Sequence, residues 1–190
     1  VSSFNAQGGQ GARYNKDGIA TTVFPANVAS TSVELFEVEA PVLCEKKELI
    51  TDSGGAGRQR GGLGQEVVWR NLAETDTLLS LSGGRFHVAA AGMSGGEMGT
   101  LGEIRIDSGP PEQRRRQALL GNEKSVSFKY PGGGGYGSAL NREPEKVLND
   151  VRLGYVSAET ARDSYGVILS SDGKEIDTEA TEALRAKKSV

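Results

Sequence analysis

Apolar and polar positions alternate along much of the first two thirds of the chain. In "SVELFEVEAPVLCEKKELI", Val33, Leu35, Phe36 and Val38 precede Pro41, and Val42, Leu43, Leu49 and Ile50 follow it. This period of two predicts two extended segments broken at the proline, with one polar face rich in glutamate. "QEVVWRNL" and "DTLLSLSGGRF" predict two more strands, with "NLAETD" as the hairpin connection between them. "EIRID" and "KSVSFKY" alternate in the same way. Between the runs lie glycine-rich stretches: "FNAQGGQGARYNKDG", "TDSGGAGRQRGGLGQ", "AAAGMSGGEMGTLG" and "PGGGGYG". Past residue 140 the period changes. Pro144, then Val147, Leu148 and Val151, then Gly154 predict a helix with its start and stop. Ser157 is an N-cap for a second helix ending near Gly166. "VILSSDG" predicts a short strand and turn, and "TEATEALRAKKSV" a last helix, acidic first and basic last. That last helix has few apolar residues and is expected to fray.

The fold class is therefore α+β: a β-rich body of short strands and glycine-rich loops over residues 1–140, and a helical C-terminal tail over 141–190. No linker separates the two.

Composition narrows the chemistry. Glycine numbers 27 in 190 residues and proline only 6, without a strict period, which fits neither collagen nor a generic linker. The net charge is -3, so nothing pulls the chain toward nucleic acid or an anionic membrane. The basic run in "EQRRRQ" lacks interleaved aromatics and reads as a solvated turn. No apolar run is long enough to cross a membrane, and the opening "VSSFNAQGG" lacks a signal-peptide pattern. A chain opening on Val rather than Met is expected to be a fragment or a processed product. Cys44 is the one cysteine and His87 the one histidine, so neither a thiolate zinc site nor a Ser-His-Asp triad is readily completed. Cys44 reads as a structural strand thiol and His87 as a satisfied structural histidine. Glu37 and Glu39 would share one strand face; an exposed polar face is the commoner outcome, a shared proton or metal the rarer.

The glycine loops hold the candidate binding residues. Around Gly54, Gly55, Gly57, Gly61 and Gly62, amide N–H groups could converge on an anion, with Arg58 and Arg60 adding charge-assisted bonds. The P-loop pattern is absent and the dinucleotide spacing fails, so close-packed turns and bulges remain the commoner reading. Gly133 and Gly134, in the run of four glycines between Tyr130 and Tyr136, pose the same choice. Four glycines are costly to order unless the backbone approaches a ligand, a partner or another loop, or adopts left-handed conformations.

The ordered set of motifs resembles the C-terminal part of the hydantoinase B/oxoprolinase family. The matching stretches are "GGQGAR" with "KDG", "VELFEVEAP", "DSGGAGRQRGGLG", "LSGGRF" with "GMSGGEMG", "YPGGGGYG" and "VLNDVRLGYVSAETARDSYGV". The resemblance covers the chain to about residue 170 and corresponds to roughly the last third of such subunits. It implies part of the B-type subunit of an ATP-dependent enzyme that opens a cyclic amide: a hydantoin, a lactam or 5-oxoproline. The alternatives are a subunit of an acetone- or acetophenone-type carboxylase and a non-catalytic structural module of such a complex. The implied partners are a hydantoinase A-type subunit that binds ATP and Mg2+, the remaining N-terminal part of the B-type subunit, and a small-molecule substrate. A divalent metal would belong to that N-terminal part, so no metal ligand is carried over to this chain. The implied setting is a cytoplasmic hetero-oligomer. The glycines of residues 54 to 64 are then expected to turn sharply beside a shared cleft. Arg58 and Arg60 would either stabilise a phosphorylated intermediate or tie loops and subunits together. An anion contact at Arg60 would make Arg60→Ala cost turnover rather than stability.

Overall fold

A computed structural model of the chain describes residues 2–22, 30–112 and 116–188. Of the basic stretch, residues 113–115 lie outside the described residues, and Arg116 opens a strand. Trp69 marks the main core. It sits on β2 (Gln65–Asn71), where Gln65, Val67, Trp69 and Asn71 point inward and Glu66, Val68 and Arg70 outward. Phe4 and Phe36 meet the Trp69 ring edge-on, at centroid distances of 4.7 and 5.0 Å. β2 pairs antiparallel with β1 (Val42–Leu49) on one side and β6 (Ser125–Lys129) on the other, and β4 (Glu103–Ile106) completes the order β1-β2-β6-β4. A second, two-stranded sheet joins β3 (Thr77–Leu81) to β5 (Arg116–Leu120). Leu81 and Leu120 from this ribbon enter the same core as Val67, Ile104 and Val126. The outward face of the larger sheet is polar and paired, with Lys46 bonded to Glu66 at 2.8 Å and Arg70 to Glu45 at 3.1 Å.

Three expectations change. The segment before Pro41 is not a strand but a helix, α1 (Val33–Glu39). "VELFEVE" alternates, yet Val33 and Phe36 also lie three apart, and both pack against the Trp69 core. Burying Phe36 on Trp69 overrides the period of two. Pro41 then ends the helix by holding Ala40 extended, at φ -136° and ψ 144°. Glu37 and Glu39 therefore do not share a strand face; Glu37 instead accepts the Cys44 backbone N–H at 2.8 Å. Cys44 itself is half-buried in β1, as its strand reading required.

Second, "NLAETD" is not a hairpin connection, because β2 and β3 belong to different sheets. Asn71 builds the corner. Its buried side-chain amide donates to Leu120 O at 2.9 Å and Gly121 O at 3.1 Å, and its Oδ1 accepts from Ala73 N–H and the Thr77 hydroxyl. Such side-chain bonds replace ladder bonds and redirect the chain. Third, β5 emerges from sequence with no clear alternation and exists through its pairing with β3.

Two helices follow expectation. In α2 (Pro144–Arg152) proline occupies the first turn, and α3 (Ala158–Asp163) is capped by Ser157, whose hydroxyl accepts Thr160 N–H at 3.0 Å. "VILSSDG" narrows to a single bridge between Leu169 and Ile176. Val147, Val156, Ala161, Tyr165 and Val167 form a second core that also takes in Ala56 and Ala139. The last helix, α4, runs from Thr178 to Lys188 and is anchored where fraying was expected. Thr181 accepts the Ile168 N–H at 2.9 Å, and Arg185 donates to the carbonyls of Tyr165 at 3.1 Å and Arg142 at 2.8 Å.

Trp69→Ala should lower the free energy of unfolding by about 3–5 kcal/mol, because the lost ring leaves a cavity between three elements. Val38→Ala, on the exposed face of α1, should stay within about 0.5 kcal/mol. Urea unfolding of the two variants checks the contrast.

Candidate functional site

The glycine-rich stretches 8–18, 53–64, 90–99 and 131–137 come together in one bundle. Segment 131–137 runs through its middle. A Cβ placed on Gly132 or Gly135 would fall well inside 3.0 Å of Ser53 or Ala56; one on Gly133 would meet Gln10, and one on Gly134 would meet Ala91. Three successive positions thus face three different neighbours, and the fourth returns to the first. This is the repeat of a threefold extended helix of the polyproline II type. Every side of the segment is occupied by another backbone, so four consecutive residues can carry no side chain. The segments are stitched by backbone bonds: Gly55 N–H to Gly133 O at 2.8 Å, Gly133 N–H to Gly62 O at 2.9 Å, Gly135 N–H to Glu97 O at 2.9 Å, and Ala12 N–H to Gly134 O at 2.8 Å. The expected sharp turns are not the reason for the glycines. Within the bundle segments the left-handed region is used by Gly95 and Gly137, at φ 89° and 72°, and by Ser94; most of the other glycines are set by close approach, whereas a Cβ on Gly11 would make only an ordinary contact.

The candidate glycines lie in this bundle. Gly54 packs on Gly61, Gly55 on Glu97, Gly57 on Tyr136, Gly61 on Gly133 and Gly62 on Ile19. The amides of Gly55, Gly61, Gly62 and Gly133 all donate to carbonyls of the chain itself. The structure therefore gathers Gly54, Gly55, Gly57, Gly61, Gly62, Gly133 and Gly134 into one place, with those four N–H groups turned to neighbouring backbone.

The two arginines diverge. Arg58 is exposed, and its Nη2 donates to Tyr14 O at 2.9 Å. Arg60 is buried. Its Nη1 donates to Gly61 O at 2.7 Å, its Nε approaches Asp150 Oδ2 at 3.4 Å, and its guanidinium lies 5.2 Å from the Tyr155 ring centroid. In this setting the cost of Arg60→Ala falls first on stability. His87 is exposed rather than a satisfied core residue. Tyr130 is half-buried and stacked on Phe128, and burial pushes its hydroxyl up to about 12.

Around Arg60 lies a knot of charge in which only Arg60 had been singled out. Arg142, 2% exposed, grips Asp17 with both terminal nitrogens at 2.8 Å and Asp150 with Nη2 at 2.7 Å. Asp17 Oδ1 also accepts the Arg60 backbone N–H at 2.7 Å. Two cations and two anions thus balance, and they join the first glycine segment, the second, the turn before α2, and α2 itself. Asp17 had been read only as part of the "KDG" turn. Asp150 carries a signal that could have found it: it lies three residues after Val147, on the apolar face of α2. The Arg142 Nε and the Tyr165 hydroxyl are buried without a partner among the described residues. Burial would raise the Asp17 pKa, but the hydrogen bond and charge of Arg142, with help from Arg60, outweigh it and hold the carboxyl below its usual range. Burial raises the Tyr165 hydroxyl far above its ordinary value. Asp17, Arg142, Glu145, Lys146, Asn149 and Asp150 line an open depression of about 360 Å³ over the knot. Among the described residues no group of three or more His, Cys, Asp or Glu side chains is placed to hold a metal ion, and no metal ligand is assigned to this chain.

The chain belongs to the hydantoinase B/oxoprolinase family, whose pattern matches residues 2–139. It is 33% identical over 188 residues to a putative D-/L-hydantoinase B subunit of Pseudomonas sp. (strain NS671), covering 94% of this chain and 31% of that protein. It is 37% identical over 166 residues to the caprolactamase beta subunit of Pseudomonas jessenii, covering 83% of this chain and 28% of that protein. The crystal structure of that ATP-dependent caprolactamase superposes with a TM-score of 0.80 and 31% identity, over 94% of this chain and 32% of the solved chain. The nucleotide-free structure of acetone carboxylase shares the fold, with a TM-score of 0.77 and 22% identity over 97% of this chain and 30% of that one. The acetone carboxylase alpha subunit of Xanthobacter autotrophicus is 28% identical over 232 residues, covering 98% of this chain and 30% of that protein. This chain therefore spans about a third of the length of the relatives it matches.

Gly133→Ala should cost about 3 kcal/mol or more, because neither a backbone carbonyl nor the buried segment can move aside. Gly84→Ala, where an added Cβ meets nothing within 4 Å, should be nearly neutral. Thermal melts of the pair read the difference. In the knot, Arg142→Ala should cost about 3–5 kcal/mol, because it takes the two-pronged partner from half-buried Asp17 and leaves buried Asp150 with only the longer contact to Arg60. Because the folded pKa of Asp17 lies below its unfolded value, its contribution is complete above about pH 3.9 and is lost as pH falls through the folded pKa. Asp17→Asn should be less stable at neutral pH and show a shallower loss below about pH 4 in acid-unfolding curves.

Proposed function

We propose that this chain is part of the B-type subunit of an ATP-dependent amidohydrolase that opens a cyclic amide. The observation that carries the reading is the double likeness to caprolactamase, in sequence at 37% and in structure at a TM-score of 0.80. A hydantoinase A-type partner supplies ATP and Mg2+. An unactivated amide carbonyl resists water. Transfer of the γ-phosphoryl group of ATP to the amide oxygen gives an electrophilic carbon bearing a phosphate leaving group. Water then adds to that carbon, the C–N bond breaks to free the ring amine and leave an acyl phosphate, and a second water hydrolyses that acyl phosphate to carboxylate and phosphate. Of the two candidate arginines, Arg58 has its side chain at the surface, so it is assigned the contact with a phosphorylated intermediate. A cytoplasmic setting is part of the same proposal. Separately, no described helix is long and apolar enough to cross a membrane.

Two other readings have specific support. The likeness to the acetone carboxylase alpha subunit supports a carboxylase, in which the phosphorylated species is an enol and CO2 the electrophile. The inward use of the Gly55, Gly61, Gly62 and Gly133 amides, with the burial of Arg60, supports a packing module that positions catalytic groups held elsewhere.

The test assembles the chain with the rest of a B-type subunit and an A-type subunit, then follows ATP hydrolysis against cyclic amides and against ketones with and without bicarbonate. Ring opening without bicarbonate is the expected result; turnover confined to ketones with bicarbonate means the carboxylase. Arg58→Ala should lower turnover at least about tenfold with little change in melting temperature. Unchanged turnover in that variant favours the packing module.

A further inference from the structure

The outermost layer of the glycine bundle is the hairpin over residues 88–101, closed by the Gly99 N–H to Ala90 O bond at 2.9 Å. Its threefold repeat sorts the residues by side. Gly96 and Gly99, three apart, press on Gly135 and Gly132 of the central segment. Met98 and Leu101, also three apart, face away and are 68% and 40% exposed. On the other arm Val88 is 73% exposed, and at the tip Met93 is 64% exposed. Both methionines of the chain therefore stand in solvent on one hairpin. From His87 to Leu101 the only acidic residue is Glu97, which accepts a bond from the Ser164 hydroxyl, and there is no Lys or Arg. The inward row carries no side chains and the outward row carries large apolar ones. A further glycine segment cannot stack there, but a surface of ordinary side chains can.

We propose that this Val88–Met93–Met98–Leu101 face is the seat of the remaining part of the B-type subunit. The proposal rests on the B-type reading above. Relatives that contain this body are about three times its length, and 32% of the caprolactamase chain accounts for nearly all of this one. The other two thirds must cover some of its surface. An apolar, almost uncharged patch fits a permanent intrachain contact, whereas a transient partner would be met by a more polar surface. Methionine suits such a contact because its flexible thioether fills irregular gaps.

The experiment is oxidation of Met93 and Met98 by dilute peroxide, read peptide by peptide in a mass spectrometer. It compares the chain alone with the chain joined to the preceding two thirds of a B-type subunit, before and after adding the A-type subunit. Both methionines should oxidise quickly in the chain alone and at least about tenfold more slowly in the joined chain. The double variant Met93→Glu with Met98→Glu, which removes both reporters, should leave the melting temperature of the chain alone unchanged and loosen the joined chain, read as faster proteolysis than in the unsubstituted joined chain. Equal oxidation in both forms overturns the proposal. Protection that appears only with the A-type subunit also overturns it and assigns the face to that partner. Protection without ATP-dependent turnover keeps the docking face and removes the amidohydrolase reading; turnover without protection does the reverse.

Discussion

Backbone packed directly against backbone on all sides of residues 132–135 is the constraint from which the architecture follows. Each neighbour approaches at a distance that leaves no room for a Cβ, and each is held by main-chain hydrogen bonds. Glycine loses more conformational freedom on ordering than any other residue, so the arrangement stands only because those bonds close around it. β6 runs straight into this segment, and the turn before α2 runs out of it. The Trp69 core on one side and the Val147–Tyr165 core on the other are therefore joined through the same glycine segment. Ala56, on the neighbouring glycine segment, is itself part of the second core.

The ion-paired knot answers a problem the bundle creates. Segments without side chains offer helices little to grip. Asp17 and Arg60 provide polar handles from two glycine segments, and Arg142 and Asp150 receive them from the helical side. Buried pairs of this kind cost desolvation and add little net stability compared with apolar packing. Their geometry is demanding, though, and it fixes which segment lies where. Arg185 of α4 closes the knot from outside by bonding the Arg142 carbonyl. The last helix is thus held in place despite its poor apolar content.

A rigid, side-chain-poor bundle makes a firm platform and a sparse source of catalytic groups. This suits a chain that spans about a third of subunit-type relatives. The exposed Arg58 and the apolar hairpin face are two features that point outward from the platform, one polar and one greasy. They separate what the platform could contribute to chemistry from what holds it in a larger assembly.

The α+β class, the strands β1, β2, β3, β4 and β6, the proline-started helix α2 and the capped helix α3 were legible from periodicity and from Pro144 and Ser157, because those signals act within a few residues. The family was legible from the order of its glycine motifs. The sequence also showed that four consecutive glycines needed a reason, and limited the reasons to close approach or unusual backbone angles. It could not choose, since the neighbours of Gly132–Gly135 lie at Gln10, Ser53, Ala56 and Ala91, far away along the chain. The same distance hid the knot, in which Asp17 and Arg142 stand 125 residues apart. It hid the helical state of Val33–Glu39, set by Phe36 finding Trp69. Local pattern determines what an element can be. Which backbone comes near enough to forbid a side chain, and which charge finds its partner in the interior, is decided only when distant segments close together.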